Sequence, residues 1–323
     1  MAAPLGVDLP HPDGMLFSVG GWFFEDDVWR YELWMPMTIP AERAARHWRN
    51  HFSRGALRVE AYDWVEENAE YIYEQAKKDP YLTEPLSLEE AKEVMRYIVV
   101  DSRRAKGPGY TIEWQVYANP DHDPKLRAIL PPDSYPDYDD VDDDDKIVSL
   151  VKTVIAGNGT HLTPPQEYLQ RLVLPIYPRG SDVLKIVLDR VEGPPNRSGF
   201  LNEATLVMMK SGDSFAAVTH WYRQRLAQEG WVGLPFLNPE LLKDAATRLK
   251  DMGHGFNQIF GGDREVLKSL GEITDFDFGV YFRERHVCFL GAISGPEGTV
   301  IMGYTFAGPE IDIRDELPWP LPF

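Results

Sequence analysis

One cysteine in 323 residues leaves no partner for an internal disulfide and no paired thiolates for a zinc or iron–sulfur site. Cys288 falls in an alternating apolar run, so it is read as a buried, inert thiol in a reducing compartment. No stretch of about 18 apolar residues occurs, so nothing reads as a membrane-spanning helix. The opening MAAPLGVDLPHPDG has neither a basic n-region nor an apolar h-region. No signal peptide is therefore expected, and a cytoplasmic protein is. The sequons at Asn158 and Asn196 are then chance matches. Bases are also scarce: 33 against 51 acids, a net charge of −18. Such a field repels nucleic acid and anionic membranes and favours basic partners. A Gly-x-Ser-x-Gly elbow, a Rossmann fingerprint and a Walker lysine are all missing, so no cofactor is expected.

What is there is apolar mass. An apolar fraction of 43%, in a chain long enough for two domains, supports real cores and argues against global disorder. The clearest unit lies at 204–231. Thr205, Val207 and Met209 alternate with Leu206 and Met208, which predicts a strand covered on both faces. Lys210 to Ser214 break the pattern, and Asp213 or Ser214 can cap a helix. Phe215, Val218, Thr219, Tyr222 and Leu226 then form one helical stripe, with His220 facing water. Gly230 supplies a left-handed stop and Trp231 folds back over the core. Runs at 279–282, 286–293 and 299–306 predict an antiparallel meander, and Leu174 to Gly180 a strand and turn leading in.

The order LPIYPRG, apolar strand, SGDSFAAVTHWYRQRLAQEGW, closing strands ending VIMGYTF resembles a loose group of small bacterial α+β domains. Those domains carry a Tyr-Pro-Gly-like lead-in and a helix reading Asp-Ser, Val, Tyr-Arg, Leu, Gly-Trp. The resemblance covers roughly 174–306, apart from an insertion at about 232–275. Its motifs are packing signatures, and the group has no common activity to carry over.

Earlier in the chain, Leu16–Phe24 and Val28–Met35 flank Glu25-Asp26-Asp27 as a hairpin rich in aromatics. Thr38 is read as the cap of a helix from about Pro40 to Ser53, with Ala41, Ala44, Ala45, Trp48 and Phe52 as its stripe. Shifting this pattern by 174 residues lays Trp48 on Tyr222 and Phe52 on Leu226, which raises a cryptic duplication. Leu57–Tyr62 reads as a strand, Trp64–Lys78 as a helix, and Ser87-Leu88-Glu89-Glu90 as a capping box. Tyr110–Ala118 alternates like a strand with one wet face. The aspartate-rich PPDSYPDYDDVDDDDK reads as a solvated linker. Ile147, Leu150, Val151, Val154 and Ile155 are read as a helix, as are the residues from Pro164-Pro165 to about Leu172. Two more helices are read at 239–252 and 263–270, around glycine-rich turns.

The expected architecture is α+β in two domains, residues 1–130 and 147–323, joined by an acidic linker at 131–146. Each is an antiparallel-rich sheet with helices on one face. The leading functional expectation is a non-catalytic protein that binds another, basic protein, in the manner of an immunity or inhibitor protein; self-association is a further expectation. Candidate contact residues are Trp22, Phe24, Trp29 and Trp34 in the hairpin and Trp319 and Phe323 in the Pro-rich tail. The alternative is a metal-dependent enzyme using His47, His51 and nearby carboxylates. Two histidines four apart on a helix can share a metal. The glutamate of a zincin motif is replaced by Trp48.

Overall fold

The computed structural model describes residues 7–54, 57–77, 87–119, 147–159, 161–192, 204–234, 275–295 and 298–307. The chain divides into two compact units: residues 1–22, 28–165 and 189–198 form the first, and 23–27, 166–188 and 199–323 the second.

The hairpin of β1 (Ser18–Glu25) and β2 (Val28–Met37) opens the fold, with residues 18–22 and 28–37 in the first unit and 23–27 in the second. Its two-residue turn places Asp26 and Asp27 at φ 50° and 61°, the left-handed pair a tight hairpin requires. Then follow α1 (Ala41–Ser53), β3 (Arg58–Ala61), the short α2 (Trp64–Glu67), α3 (Ala69–Lys77) and α4 (Leu88–Ile98). The strands β4 (Val99–Gly107), β5 (Tyr110–Ala118) and β6 (Ser149–Gly157) complete the first unit. Of the 12 strands in the one sheet order, those of the first unit run β3-β4-β5-β6-β2-β1 (the first sheet, for short) and are antiparallel from β3 through β2. The apolar stripe of α1 lies buried on one face of this sheet. There Phe52 stacks on Trp114 at 4.8 Å, and Trp48 Nε1 donates to Thr153 Oγ1 at 3.2 Å. On the opposite face Val65, Ile72, Ala91 and Val99 make a smaller core with Trp64, Met95 and Tyr117. Ser87 and Glu90 close both arms of the capping box that opens α4.

The second unit contains the single turn α5 (Gln166–Leu169), β7 (Ser181–Glu192), β8 (Thr205–Ser211), α6 (Phe215–Gln228) and β9 (Val232–Leu234). The meander β10 (Asp275–Arg283), β11 (His286–Gly295) and β12 (Gly298–Ala307) follows. The strand order is β9-β10-β11-β12-β8-β7, and the pairings from β9 to β7 are antiparallel. Val218, Tyr222 and Leu226 of α6 pack with Val207, Met209, Cys288, Leu290, Ile301 and Trp231. Gly230, at φ +81°, turns the chain so that Trp231 closes this core. The lead-in segment and the start of α6 meet here through side chains. Tyr177 donates to Asp213 at 2.5 Å, Arg179 pairs with Asp213 at 2.8 Å, Ser214 caps α6, and Tyr222 OH donates to the Pro175 carbonyl. Side chains at these positions tie the lead-in segment to the start of the helix.

Both units read strand–strand–helix–strand, then a connecting segment, then a three-strand meander. The sheet order in chain terms is the same in each. The register repeats as well. Met37 and Ser211 end β2 and β8, Ala41 and Phe215 open α1 and α6, and Arg58 and Val232 open β3 and β9, each pair 174 residues apart.

The structure departs from the sequence reading at six places. Leu174 to Gly180, read as a strand and turn, holds a turn at Pro178-Arg179 but no strand, and the strand that follows, β7, begins at Ser181. Residues 149–157 form β6, not a helix, with Val151, Thr153 and Ile155 buried between β2 and β5. Valine, threonine and isoleucine favour the pleated surface, and a short apolar run satisfies both periodicities. The helix after Pro164 is a single turn. Trp64–Lys77 breaks at Asn68, whose side-chain amide donates to the Trp64 carbonyl. Thr38 does not cap α1: its hydroxyl donates to the Gly14 carbonyl, and the capping position is Pro40. Helices lie on both faces of the first sheet, not on one, so Gln115 on the expected wet face is buried. The acidic segment 131–146, the helices read at 239–252 and 263–270, and the tail with Trp319 and Phe323 lie outside the described residues. Among the described residues no helix is long and apolar enough to cross a membrane.

Candidate functional site

The face of the first sheet turned away from α1 carries its polar chemistry. Strand alternation places Arg30, Glu32 and Trp34 of β2 on that side. Pairing brings Lys152 opposite Trp34 and Gln115, and Glu113 opposite Arg104 and Val154. Two linked clusters result.

In the first, Glu32 receives Arg30 Nε at 2.5 Å, Lys152 Nζ at 3.2 Å and Trp34 Nε1 at 3.1 Å. Lys152 Nζ also stands 4.5 Å over the Trp34 ring. Burial pushes the Glu32 carboxyl up, but Lys152 and Arg30 together outweigh it and hold the group below its ordinary range. In the second, Arg104 donates to Glu113 at 2.6 Å and to Glu67 at 3.0 Å, with its guanidinium 4.4 Å over Tyr62. Tyr62 OH donates to Glu113 at 3.1 Å and accepts from Gln115 at 3.0 Å. Burial, then the Glu113 charge, raises the Tyr62 phenol above its usual range. Glu32 thus stays ionised and Tyr62 protonated at neutral pH, so these groups act as fixed charges and donors, not as proton carriers.

Glu32 keeps only 2% of its side-chain surface, but Lys152 keeps 20%, Arg104 25%, Glu113 29% and Arg30 33%. The clusters are rooted in the sheet and open to contact. The alternation Arg-Tyr-Glu-Leu-Trp was a legible sign of this face. Its cross-strand partner Lys152 was hidden in a segment read as a helix.

The aromatic hairpin is mostly interior. Trp22 is fully buried edge-on to Tyr31 at 5.7 Å, and Trp34 is buried beneath Lys152. Phe24 and Trp29 are half-buried; Lys185 stands 4.4 Å over the Phe24 ring, and Trp29 forms an isolated bridge with Leu162. His47 is exposed on α1, while His51 Nε2 donates to the Asp8 carbonyl at 2.8 Å. Partial burial, then the neighbouring His51, lowers the His47 pKa. Among the described residues no group of three or more histidine, cysteine, aspartate or glutamate side chains converges to hold a metal.

In the second sheet the equivalent register positions are apolar. Leu206 and Met208 replace Glu32 and Trp34, Met302 replaces Lys152, and Phe289 replaces Glu113. Phe278, Phe289 and Phe306 form a stacked ladder with centroids 6.0 and 5.8 Å apart. The chain matches no protein-family profile, and no curated protein or solved structure is detectably similar to it.

Proposed function

We propose that the protein is a non-catalytic, cytoplasmic binding protein that docks another protein of net positive charge on the half-open face of its first sheet. The supporting observation is the contrast at matched positions: glutamate and lysine in the first sheet, leucine and methionine in the second. Replacing a buried ion pair by apolar residues of similar volume is often neutral or stabilising. Charges kept where folding does not require them are suited to recognition. The net charge of −18 draws in a basic partner, and the mixed ladder of arginine, lysine and glutamate fixes the register on contact. Neutralising a basic protein in this way is what an immunity or inhibitor protein does. Two copies of one ancestral module account for the repeated topology and the 174-residue spacing.

The variant E32L/K152M gives the first sheet the residues of the second. Tagged full-length wild type and variant are compared by pull-down from native extract, followed by light scattering of the eluted complex. A folded variant that loses the protein retained by the wild type is the expected result. Equal retention by both refutes the assignment of this face.

A further inference from the structure

The outward side of α1 is a second charged surface. Arg43, Arg46, His47 and Asn50 are exposed along it, and Arg54 at the C-cap position continues the row. At 3.6 residues per turn these five positions fall within about 100° of arc, opposite the buried stripe. Arg43, Arg46 and Arg54 have no carboxylate within ion-pair distance among the described residues. By contrast Arg30, Arg49, Arg96, Arg103, Arg104, Arg179, Arg223, Arg225 and Arg283 are all ion-paired, while Arg58 on β3 shares the lack of a carboxylate partner among the described residues but stands alone. Among the described residues these three neighbouring arginines stand without an acidic partner in a chain rich in acids. Nor does the scaffold need them. At the 174-residue spacing the corresponding positions of α6 are Ala217, His220, Trp221, Gln224 and Gln228, none of them arginine or lysine.

We propose that this face of α1 docks an acidic polypeptide segment of a partner protein. From Arg43 to Arg54 the helix rises about 16 Å, the length of an extended segment of roughly five residues. Guanidinium groups match carboxylates in paired, planar hydrogen bonds, so three of them in a row select a carboxylate-rich strand. A polypeptide is favoured over nucleic acid because the −18 field opposes a long polyanion more than a short acidic segment. Glu42, exposed on the flank of the row, and Asp8, beside His51, bound the surface with negative charge and limit its width.

The full-length chain is titrated against a fluorescein-labelled deca-glutamate peptide at low salt, reading anisotropy. Wild type is expected to bind, with affinity falling as sodium chloride rises. R43A/R46A/R54A is expected to lose at least about tenfold. R223A/R225A on α6 is expected to bind as wild type does. Circular dichroism melts establish that both variants are folded. No binding by wild type, or equal binding by the α1 variant, overturns the proposal. Tighter binding of a ten-residue oligothymidylate than of the peptide overturns it in favour of nucleic acid. Peptide binding that emerges only when Asp139, Asp140 and Asp142 to Asp145 are changed to asparagine overturns the assignment to a partner, since the chain would then be supplying its own acidic segment.

Discussion

In the first sheet the residues turned away from α1 include Glu32, Trp34, Glu113, Gln115 and Lys152. At the same register positions the second sheet presents Leu206, Met208, Phe289, Gly291 and Met302. The helix-covered faces show no such divergence. Leu33, Met35, Ile112, Trp114 and Val151 in one unit stand where Val207, Met209, Cys288, Leu290 and Ile301 stand in the other, all of them buried. What the two units share is therefore the interface between one helix and one sheet face. Apolar complementarity there fixes the topology and leaves the far face free to change chemistry.

Removing the large helix residue should have the greatest effect on that shared interface. Trp48 and Tyr222 are each almost fully buried and sit 174 residues apart. Trp48→Ala and Tyr222→Ala should each lower stability by about 3–5 kcal/mol in urea unfolding. Losses of similar size would support the equivalence of the two helices. A loss under about 1 kcal/mol at either site would break it.

The charged cluster provides a sharper contrast. Glu32→Gln leaves Lys152 and Arg30 facing a neutral amide and should cost about 3 kcal/mol, the low end for a buried pair because both cations keep some solvent contact. E32L/K152M should be within about 1 kcal/mol of wild type or more stable, since both charges go together. Acid provides an independent check. The folded Glu32 pKa lies below its unfolded value of about 4.3, so its stabilisation is fully present above that pH. It is lost as pH falls through the lower folded value. Urea midpoints measured from pH 6 down to pH 2 should show this acid loss in wild type and a smaller one in E32L/K152M. Identical acid profiles would mean that Glu32 is not held as the geometry requires.

The parts of the fold legible in sequence were those in which one element stated its own period. The stripe of α6, the Gly230-Trp231 stop, the capping box at Ser87 and the hairpin around Glu25-Asp26-Asp27 are local signals, and each is found, the turn itself being Asp26-Asp27 with Glu25 ending β1. The segment at 149–157 failed because its apolar residues fit both periods. Only the pairing with β2 and β5, distant in sequence, makes it a strand. The site was hidden for the same reason. Glu32 and Lys152 lie 120 residues apart, and nothing in either segment announces the other. The hairpin aromatics were legible as apolar but not as interior. Trp22 and Trp34 are covered by partners that only register supplies.

The smallest expected effect concerns the way the two helices begin. Pro40 and Ser214 hold the same place before α1 and α6, with φ, ψ of −57°, 146° and −62°, 146°. Ser214 accepts from the Ala217 amide, whereas Pro40 offers no side-chain acceptor. Ser214→Ala should therefore cost about 1 kcal/mol, an ordinary lost cap. Pro40→Ser gains a cap on a backbone already in the right conformation. It also gives up the restriction that proline places on the unfolded chain, worth about 0.4–1 kcal/mol. The two terms are of similar size and opposite sign, so Pro40→Ser should move the urea midpoint little. A gain near 1 kcal/mol would mean that the first helix lacks only a hydroxyl to match the second. A loss of that size would mean that proline rigidity is how the first unit makes up for the missing cap.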